Sequence, residues 1–140
     1  RDRARVVRAA ATNPNIHLAA PVTDRVDLAT IFASADALVH GCEAETFCMV
    51  AAEAKASGLP IIVPDEGGAS DQFIAGQGAR YKARSGSALA AALAGFLAGD
   101  PEGARRRAIA AAPAVPTIDM HFEALFGLYA RQREAADNVA

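Results

Sequence analysis

The sequence predicts an α/β fold in which a parallel sheet is covered by helices. Short apolar segments alternate with longer segments of helical periodicity along the 140 residues. The run Pro60–Val63 is apolar throughout and bounded by prolines, which is typical of a parallel strand buried on both faces. The helical segments carry apolar stripes on one side, such as Leu28, Ile31, Phe32 and Ala35, and such helices need a sheet to cover.

The first half of the chain predicts five elements. In order they are a helix over Arg1–Ala11, a strand over Asn15–Ala20, a helix capped by Asp24 or Asp27, a brief strand over Ala37–Val39, and a helix over Phe47–Ser57 that Gly58 ends.

The second half of the chain continues the alternation, and a loop beginning at Gly67 and Gly68 follows its first strand. This half predicts a strand over Pro60–Val63, a strand over Ala79–Lys82, a helix over Ser87–Leu97 with Leu89, Leu93, Phe96 and Leu97 inward, a helix over Pro101–Ala111, and a helix over His121–Glu134 with Phe122, Leu125, Phe126 and Tyr129 on one face.

The composition excludes several classes of protein. Hydrophobic residues make up 52% and charged residues 21%, which indicates a globular domain. The net charge of −2 gives no reason to expect nucleic-acid binding, and Arg105–Arg107 is interpreted as a solvated helix face. No apolar run reaches the roughly 18 residues of a membrane span, and no secretory signal is visible. We expect a cytoplasmic protein, with peripheral membrane association of the full-length protein left open.

The two cysteines are expected to be free thiols in a reducing compartment. A metal site of His40, Cys42 and Cys48 is conceivable, but its spacing fits no standard zinc pattern. No Asp-x-Asp motif occurs either. We therefore predict no metal ion and no cofactor.

Two loops are expected to hold the ligand, because ligands bind at the carboxyl ends of parallel strands. They are His40–Thr46 and Asp65–Asp71. If Thr46 caps the helix that follows, the free amides of Phe47, Cys48 and Met49 suit a phosphate group. Carboxylates accept hydrogen bonds from sugar hydroxyls.

The carboxylates in question are Glu45 and Glu53, which lie on either side of this helix start. A pair of glutamates at this spacing also occurs by chance in ordinary helices. Gly67 and Gly68 likewise fit either a ligand-binding backbone or a plain turn. The spacing alone leaves these alternatives open.

The string HGCEAETFCMVAAEAKASGLPIIVPDEGGASD, from His40 to Asp71, resembles the donor-binding segment of the family 4 retaining nucleotide-sugar glycosyltransferases. That family has two Rossmann-like domains and a signature of the form E-x-F-G-L-x-x-x-E-A-x-A-x-G-x-P-V-V, followed by Gly-Gly and an acidic residue. The positions in step are Glu45, Phe47, Glu53, Ala54, Ala56, Gly58, Pro60, Gly67, Gly68 and Asp71.

The resemblance implies a role for each matching residue. Glu45 and Thr46 would hold the donor sugar, Glu53 would accept from the ribose hydroxyls, the amides of Phe47, Cys48 and Met49 would cradle the diphosphate, and His40, Gly67 and Gly68 would line the pocket. His40 followed by the Glu-Thr-Phe sequence is most similar to the mannosyltransferase-like members. The sequence departs from the signature in two places. Cys48 and Met49 replace Gly-Leu, and the cysteine side chain could narrow the pocket or make activity sensitive to oxidation. Asp71 replaces the commoner Glu.

The resemblance also predicts what this chain lacks. Residues 1–140 are expected to be part of the C-terminal domain, without the N-terminal acceptor domain and without an early Arg/Lys pair that neutralises the leaving diphosphate. Such a fragment is expected to be inactive alone, and its unpaired strands could associate with a second copy.

The family implies transfer of a hexosyl group from a UDP- or GDP-sugar to a hydroxyl acceptor, a glycan or lipid, with retention. The alternatives are an epimerase or phosphorylase on the same fold, or a non-catalytic module that binds nucleotide sugars. A dinucleotide-binding domain is disfavoured because no G-x-G-x-x-G follows a strand.

Overall fold

A computed structural model of the chain describes residues 3–137. It contains seven α-helices and three strands within those residues. In chain order they are α1 (Arg3–Thr12), α2 (Arg25–Ser34), β1 (Leu38–Val39), α3 (Met49–Ala56), β2 (Ile61–Pro64), α4 (Gly68–Asp71), β3 (Gly78–Tyr81), α5 (Gly86–Ala98), α6 (Pro101–Ala111) and α7 (Ile118–Asp137), with a 3-10 turn at Ala112–Ala114.

The three strands form a parallel sheet in the order β1-β2-β3. Leu38 pairs with Ile61, and Ile61 pairs in turn with Gly78. All four residues of the central strand are buried, as the apolar run between prolines predicts. The predicted α/β class and the parallel sheet are therefore confirmed.

Two hydrophobic clusters lie on the two faces of this sheet. One cluster packs α2 and α3 against β2, with Phe32, Ala51 and Val63 among its buried members. The other packs α5 and α6 against the opposite face, where Ile62 and Phe96 are buried. Alternate residues of β2 thus pack into opposite clusters, since neighbouring side chains of a strand point to opposite faces.

Aspartate side chains cap two of the helices, and Asp24 is one of the two capping residues predicted for α2. Asp24 caps α2 by accepting from the amides of Val26 at 2.8 Å and Asp27 at 2.9 Å. Asp100 caps α6 by accepting from the amide of Gly103 at 2.8 Å, and Pro101 occupies the first turn. The predicted bounds of α6 are confirmed at both ends.

The predicted strand over Asn15–Ala20 is wrong. Residues 13–24 are irregular and mostly exposed, and Leu18 is 54% exposed. A strand requires a neighbouring strand for its backbone hydrogen bonds, whereas the Ile16 amide within Asn15–Ala20 donates locally to the carbonyl of Asn13 at 3.1 Å. Apolar composition alone therefore did not make it a strand.

Two side-chain expectations are also corrected. Leu97 was expected to face inward from α5 but is 61% exposed, although Leu89, Leu93 and Phe96 do pack inward. Arg105–Arg107 is not simply a solvated face. Arg105 donates to the backbone carbonyls of Ala33 and Ala35, and Arg107 donates to the carbonyl of Gly76 at 2.7 Å.

The two terminal helices contribute little to this core. None of the residues of α1 is buried. Helix α7 is longer than the predicted His121–Glu134, and the rings of Phe122 and Phe126 stack with centroids 5.9 Å apart on its exposed surface. Within residues 3–137, no helix combines the length and apolar character needed to cross a bilayer.

Candidate functional site

The carboxyl ends of the three parallel strands meet at one edge of the sheet, which we call the carboxyl edge. The loop that follows β1, residues 40–48, is called loop 1. The segment that follows β2, residues 65–68, is called loop 2 and includes the first residue of α4. Loop 2 leads into α4, and β3 ends at Tyr81 on the same edge. The two loops predicted from the sequence are therefore neighbours in space, as the sheet topology requires.

Helix α3 begins two residues later than predicted, and Thr46 is not its cap. The N-cap is Cys48, which has φ 62° and ψ 67° and makes no side-chain capping hydrogen bond. Left-handed backbone of this kind favours glycine, because a side chain there is strained. This explains why the signature has Gly at the position of Cys48.

The change of cap moves the free amides of the helix tip. The amide of Ala51 already donates to the carbonyl of Cys48 at 3.1 Å. The amides of Met49 and Val50 precede this bond, and the first amides of a helix have no partner within it. The end of α3 therefore offers the amides of Met49 and Val50 to an anion. The predicted role of the Phe47 and Cys48 amides stays a prediction.

Loop 1 carries the side chains that the sequence singles out. Thr46 and Phe47 are exposed, and so is Met49 at the first turn of α3, with 62% of its surface accessible. The Glu45 side chain is 32% exposed and that of Glu53 30%, so both carboxylates reach solvent from a partly covered position. Such carboxylates can accept hydrogen bonds from a polyhydroxylated ligand.

Loop 2 supports loop 1 through its glycines. A Cβ atom on Gly68 would lie 2.5 Å from the carbonyl oxygen of Thr46 and 2.6 Å from the amide nitrogen of Phe47. A Cβ atom on Gly67 would lie 2.5 Å from the carbonyl oxygen of Glu43. The Gly68 amide also donates to the carbonyl of Glu45 at 2.9 Å. The glycines are needed for the close approach of two backbones, and Gly68 itself is buried.

Three further contacts fix loop 1 from the neighbouring elements. The hydroxyl of Tyr81 donates to the carbonyl of His40 at 2.8 Å. The side-chain amide of Gln72 donates to the carbonyl of Phe47 at 3.1 Å. The Glu43 carboxylate accepts from the backbone amide of Arg84. Loop 1 is thus held along its length, which orders the groups around the tip of α3.

Loop 2 is itself anchored to the end of β3. The Oδ1 atom of Asp65 accepts from the amide of Ala83 at 2.8 Å, and the Nζ atom of Lys82 lies 3.4 Å from the Oδ2 atom of Asp65. The amide of Ala83, with a further contribution from the Lys82 ammonium, lowers the pKa of the Asp65 carboxyl below its ordinary value. Asp65 therefore remains an acceptor for this contact in weak acid.

Glu53 has a partner that the sequence did not suggest. The Nη1 atom of Arg25 forms an ion pair with the Oε1 atom of Glu53. The Arg25 side chain is 77% exposed, so the pair lies at the surface. It orients the Glu53 carboxylate while leaving its second oxygen for a ligand.

Three residues of loop 1, His40, Glu45 and Cys48, form a compact cluster. Their ligand-type atoms lie within 4.8 Å of one another. Cys42, which the sequence offered with His40 and Cys48, is exposed and lies outside this cluster, and both thiols are free. Burial raises the pKa of the Cys48 thiol, and the neighbouring Glu45 carboxylate adds to the rise. A thiol with a raised pKa is a weak nucleophile.

Sequence reasoning missed the residues that hold loop 1 in place, namely Glu43, Gln72, Tyr81 and Arg84. One signal could have found Tyr81. The sequence predicts ligand loops after two of the strands, and Tyr81 lies at the end of the third strand, on the same carboxyl edge. The remaining contacts involve backbone groups brought together by the fold, which no sequence spacing reports.

The model of the family "Glycosyl transferases group 1" matches residues 5–115. A GDP-mannose-dependent alpha-mannosyltransferase of Mycobacterium tuberculosis (strain CDC 1551 / Oshkosh) is 58% identical over 45 residues, which are 32% of this chain and 12% of that protein. A glycogen synthase of the same strain is 39% identical over 89 residues, 63% of this chain and 21% of that protein.

The fold is also similar to a solved structure. The sucrose-phosphate synthase from Thermosynechococcus elongatus superposes with a TM-score of 0.76 at 25% identity, covering 96% of this chain and 34% of that one. The chain therefore spans about a third of that protein and between 12% and 21% of the two curated relatives described above.

Proposed function

Since the chain belongs to the glycosyl transferases of group 1, we propose that it forms the donor-binding part of a glycosyltransferase. The enzyme would move a hexosyl group from a nucleoside-diphosphate sugar to a hydroxyl acceptor and retain the anomeric configuration. One observation carries the proposal. Two solvent-accessible carboxylates, Glu45 and Glu53, belong to loop 1 and α3 on either side of the helix tip with free amides.

Each part of the donor has a group that suits it. The diphosphate would accept from the amides of Met49 and Val50, where the helix dipole also favours negative charge. The ribose hydroxyls would donate to Glu53. The hexose hydroxyls would donate to Glu45, with Thr46 beside it. In this arrangement the fixed dipoles of α3 stabilise charge that develops on the diphosphate as its bond to the sugar breaks.

His40 and the two glycines have supporting roles in the proposal. His40 lies against Glu45, with its Nε2 atom 3.4 Å from Glu45 Oε1. Gly67 and Gly68 would border the nucleotide chiefly by keeping loop 1 in place. Asp71 lies on α4 and is exposed, so nothing in its surroundings assigns it a role.

The relatives suggest which donor to test first. The mannosyltransferase relatives carry "GDP-mannose-dependent" in their names. GDP-mannose is therefore the first donor of this proposal and UDP-sugars are the second. We propose no cofactor and no metal requirement for transfer. The acceptor would be a glycan or lipid hydroxyl bound by parts of the parent protein outside these residues.

Residues 1–140 would be part of a C-terminal domain, inactive without its acceptor domain. The parent protein would act in the cytoplasm, and the open edges of β1 and β3 would allow two copies of the chain to associate. Analytical ultracentrifugation of the chain tests the last point, and a monomer at all concentrations would contradict it.

Calorimetric titration of the chain with GDP, UDP and GDP-mannose tests the proposal. We expect saturable binding of at least one nucleoside diphosphate, and its absence would contradict a donor site. Product analysis with the parent protein then separates transfer from its alternatives. An epimerase or phosphorylase would change the donor without an acceptor product, and a binding module would leave it intact.

The variant Glu45→Gln separates the sugar from the nucleotide. A role on the hexose predicts that transfer by the parent protein falls while the affinity for the free nucleoside diphosphate stays the same. An equal fall in both would place Glu45 on the nucleotide instead. Glu66→Gln is the matched control, because Glu66 is 48% exposed in the adjacent loop 2 and pairs with Lys82.

A further inference from the structure

We propose that His40, Glu45 and Cys48 bind a soft divalent cation of the zinc class, and that this cation excludes the donor sugar from Glu45. The cation site follows from the geometry of the cluster alone. The exclusion rests in addition on the donor site proposed above. The cation would act as an inhibitor and not as a cofactor for transfer.

The three side chains offer the ligand atoms that zinc prefers. Imidazole nitrogen, thiolate sulfur and carboxylate oxygen bind zinc at about 2.0–2.3 Å in a tetrahedral arrangement. Ligand atoms at those bond lengths are separated from one another by about 3.4–3.6 Å. His40 Nε2 and Glu45 Oε1 are 3.4 Å apart, and the ligand atoms of all three residues lie within 4.8 Å of one another. Small side-chain adjustments would close the remaining difference.

The Nε2 atom of His40 has no hydrogen-bond partner in the described part of the chain, although it is buried. The Oε1 atom of Glu45 lies 3.4 Å from this nitrogen, but the two atoms do not form a hydrogen bond. Buried polar atoms almost always have a partner. A cation placed between His40 and Glu45 would satisfy the imidazole nitrogen and the carboxylate together.

The backbone around the cluster is fixed before any cation binds. Tyr81 holds the carbonyl of His40, and the Gly68 amide holds the carbonyl of Glu45. Cys48 is 2% exposed and occupies the N-cap of α3. On binding, the thiol proton leaves to the buffer and a metal–sulfur bond forms, so no oxidant or reductant is needed. Cys42 remains outside the cluster.

Three protein ligands leave the fourth tetrahedral position open, as in zinc sites that exchange ligands. Glu45 is shared between the two proposed ligands. A carboxylate oxygen that coordinates a cation cannot also accept from a sugar hydroxyl in the same geometry. The cation and the donor sugar should therefore compete, whereas a free nucleoside diphosphate, which does not need Glu45, should compete much less.

Cobalt(II) is the probe for the site, because its bond to a thiolate gives a charge-transfer absorption band. We expect the reduced chain to bind one Co²⁺ with this band, and Zn²⁺ to displace it. The sequence has two cysteines, so the variant Cys42→Ser assigns the sulfur without changing the cluster. The band should persist in Cys42→Ser and disappear in Cys48→Ser. A missing band, or one lost in Cys42→Ser, would overturn the site.

His40→Gln tests the imidazole ligand, with His17→Gln as the control on an exposed segment. We expect His40→Gln to weaken Co²⁺ binding by about tenfold or more and His17→Gln to leave it unchanged. Circular dichroism checks that each variant is folded. Equal Co²⁺ affinity of folded His40→Gln and the unchanged chain would remove His40 from the site.

Competition with GDP-mannose, or whichever nucleotide sugar binds best, separates the two parts of the proposal. We expect the sugar nucleotide to lower the apparent Co²⁺ affinity more than its nucleoside diphosphate does. Titration of Co²⁺ with each nucleotide in the absence of protein corrects for chelation by phosphate. Metal binding that is indifferent to every nucleotide sugar would contradict the exclusion and leave the cation site in place. If no nucleotide binds at all, the proposed donor function fails separately.

Discussion

Loop 1 and loop 2 leave adjacent parallel strands at the same edge of the sheet, yet they do different work. Loop 1 presents His40, Glu45 and the tip of α3, which are the groups proposed to contact the donor. Loop 2 presents glycines whose missing side chains let it pass within contact distance of the loop 1 backbone. A sequence with Gly-Gly after a strand suggests a ligand contact. Here glycine is required at both positions because a Cβ atom would clash with the backbone of loop 1.

The candidate site is supported by neighbouring elements, although its two carboxylates remain accessible to solvent. Loop 1 is irregular, so its backbone groups need partners from outside it. Loop 2, α4 and β3 supply those partners through the Gly68 amide, Gln72 and Tyr81. The ligand groups are therefore positioned by neighbours that need not touch a ligand themselves, and mutations in those neighbours should damage the site indirectly.

The largest effect is expected from Gly68→Ala. Its new methyl group would lie 2.5 Å from the carbonyl oxygen of Thr46, so one of the two loops must move. We expect a loss of unfolding free energy of about 3 kcal/mol, at the upper end of overpacking costs, together with loss of nucleotide binding. Urea denaturation measures the first quantity and calorimetry the second.

Gly95→Ala is the matched control for that variant. Nothing lies within 4 Å of a Cβ atom at Gly95 in the middle of α5. Alanine there should stabilise the helix by up to about 1 kcal/mol. If Gly68→Ala were as harmless as Gly95→Ala, the close approach of the two loops would not exist in solution.

Glu53→Gln should weaken nucleoside-diphosphate binding by about 1–3 kcal/mol, because the ribose would lose a hydrogen bond to a charged acceptor. Isothermal titration calorimetry measures the affinity. Glu102→Gln serves as control, since its side chain on α6 is 92% exposed and pairs with Arg106. Unchanged affinity in Glu53→Gln would refute the ribose role.

Tyr81→Phe removes the hydroxyl that donates to His40 while keeping the buried ring. The loss of one hydrogen bond should lower the free energy of unfolding by about 0.5–1.5 kcal/mol. Thermal unfolding detects this change, and Tyr129→Phe, at a site 56% exposed, should leave stability as it was. Equal stability of the two variants would show that β3 does not hold loop 1.

Arg25→Ala should have the smallest effect. Exposed ion pairs contribute about 0–1 kcal/mol, and Arg25 engages one oxygen of Glu53. Its removal should raise nucleoside-diphosphate affinity by no more than about 1 kcal/mol, since the ribose gains that oxygen. Arg106→Ala, whose partners are Asp100 and Glu102, controls for loss of positive charge. A fall in affinity for Arg25→Ala alone would mean that Arg25 contacts the ligand directly.

The sequence predicted best those elements whose causes are local. Asp100 and Pro101 start α6, and the apolar run between prolines forms the buried strand β2. The strand expected at Asn15–Ala20 failed because a strand depends on a partner that no local pattern reports. The predicted start of α3 was wrong for a different reason. Thr46 is a good capping residue in general, but the surrounding fold sets the left-handed backbone of Cys48, which is the actual N-cap.

The candidate site likewise combines features that a local sequence pattern identifies with contacts that it does not. The glutamate pair and the helix tip could be found from the flanking string, because those residues are close in sequence. The contacts of Arg25 with Glu53 and of Glu43 with Arg84 join residues 28 and 41 positions apart, and such pairs appear only when the chain is folded. Arg105, expected in solvent, bonds to the end of α2 for the same reason.

Amide NMR of the isotopically labelled chain, titrated with the nucleoside diphosphate that binds best, tests the donor site most directly. We expect the largest chemical-shift changes at Met49 and Val50, smaller changes along loop 1, and none at Gly95 on α5. Changes centred on loop 2, or on a surface away from the carboxyl edge with Met49 and Val50 unaffected, would contradict the proposed donor site.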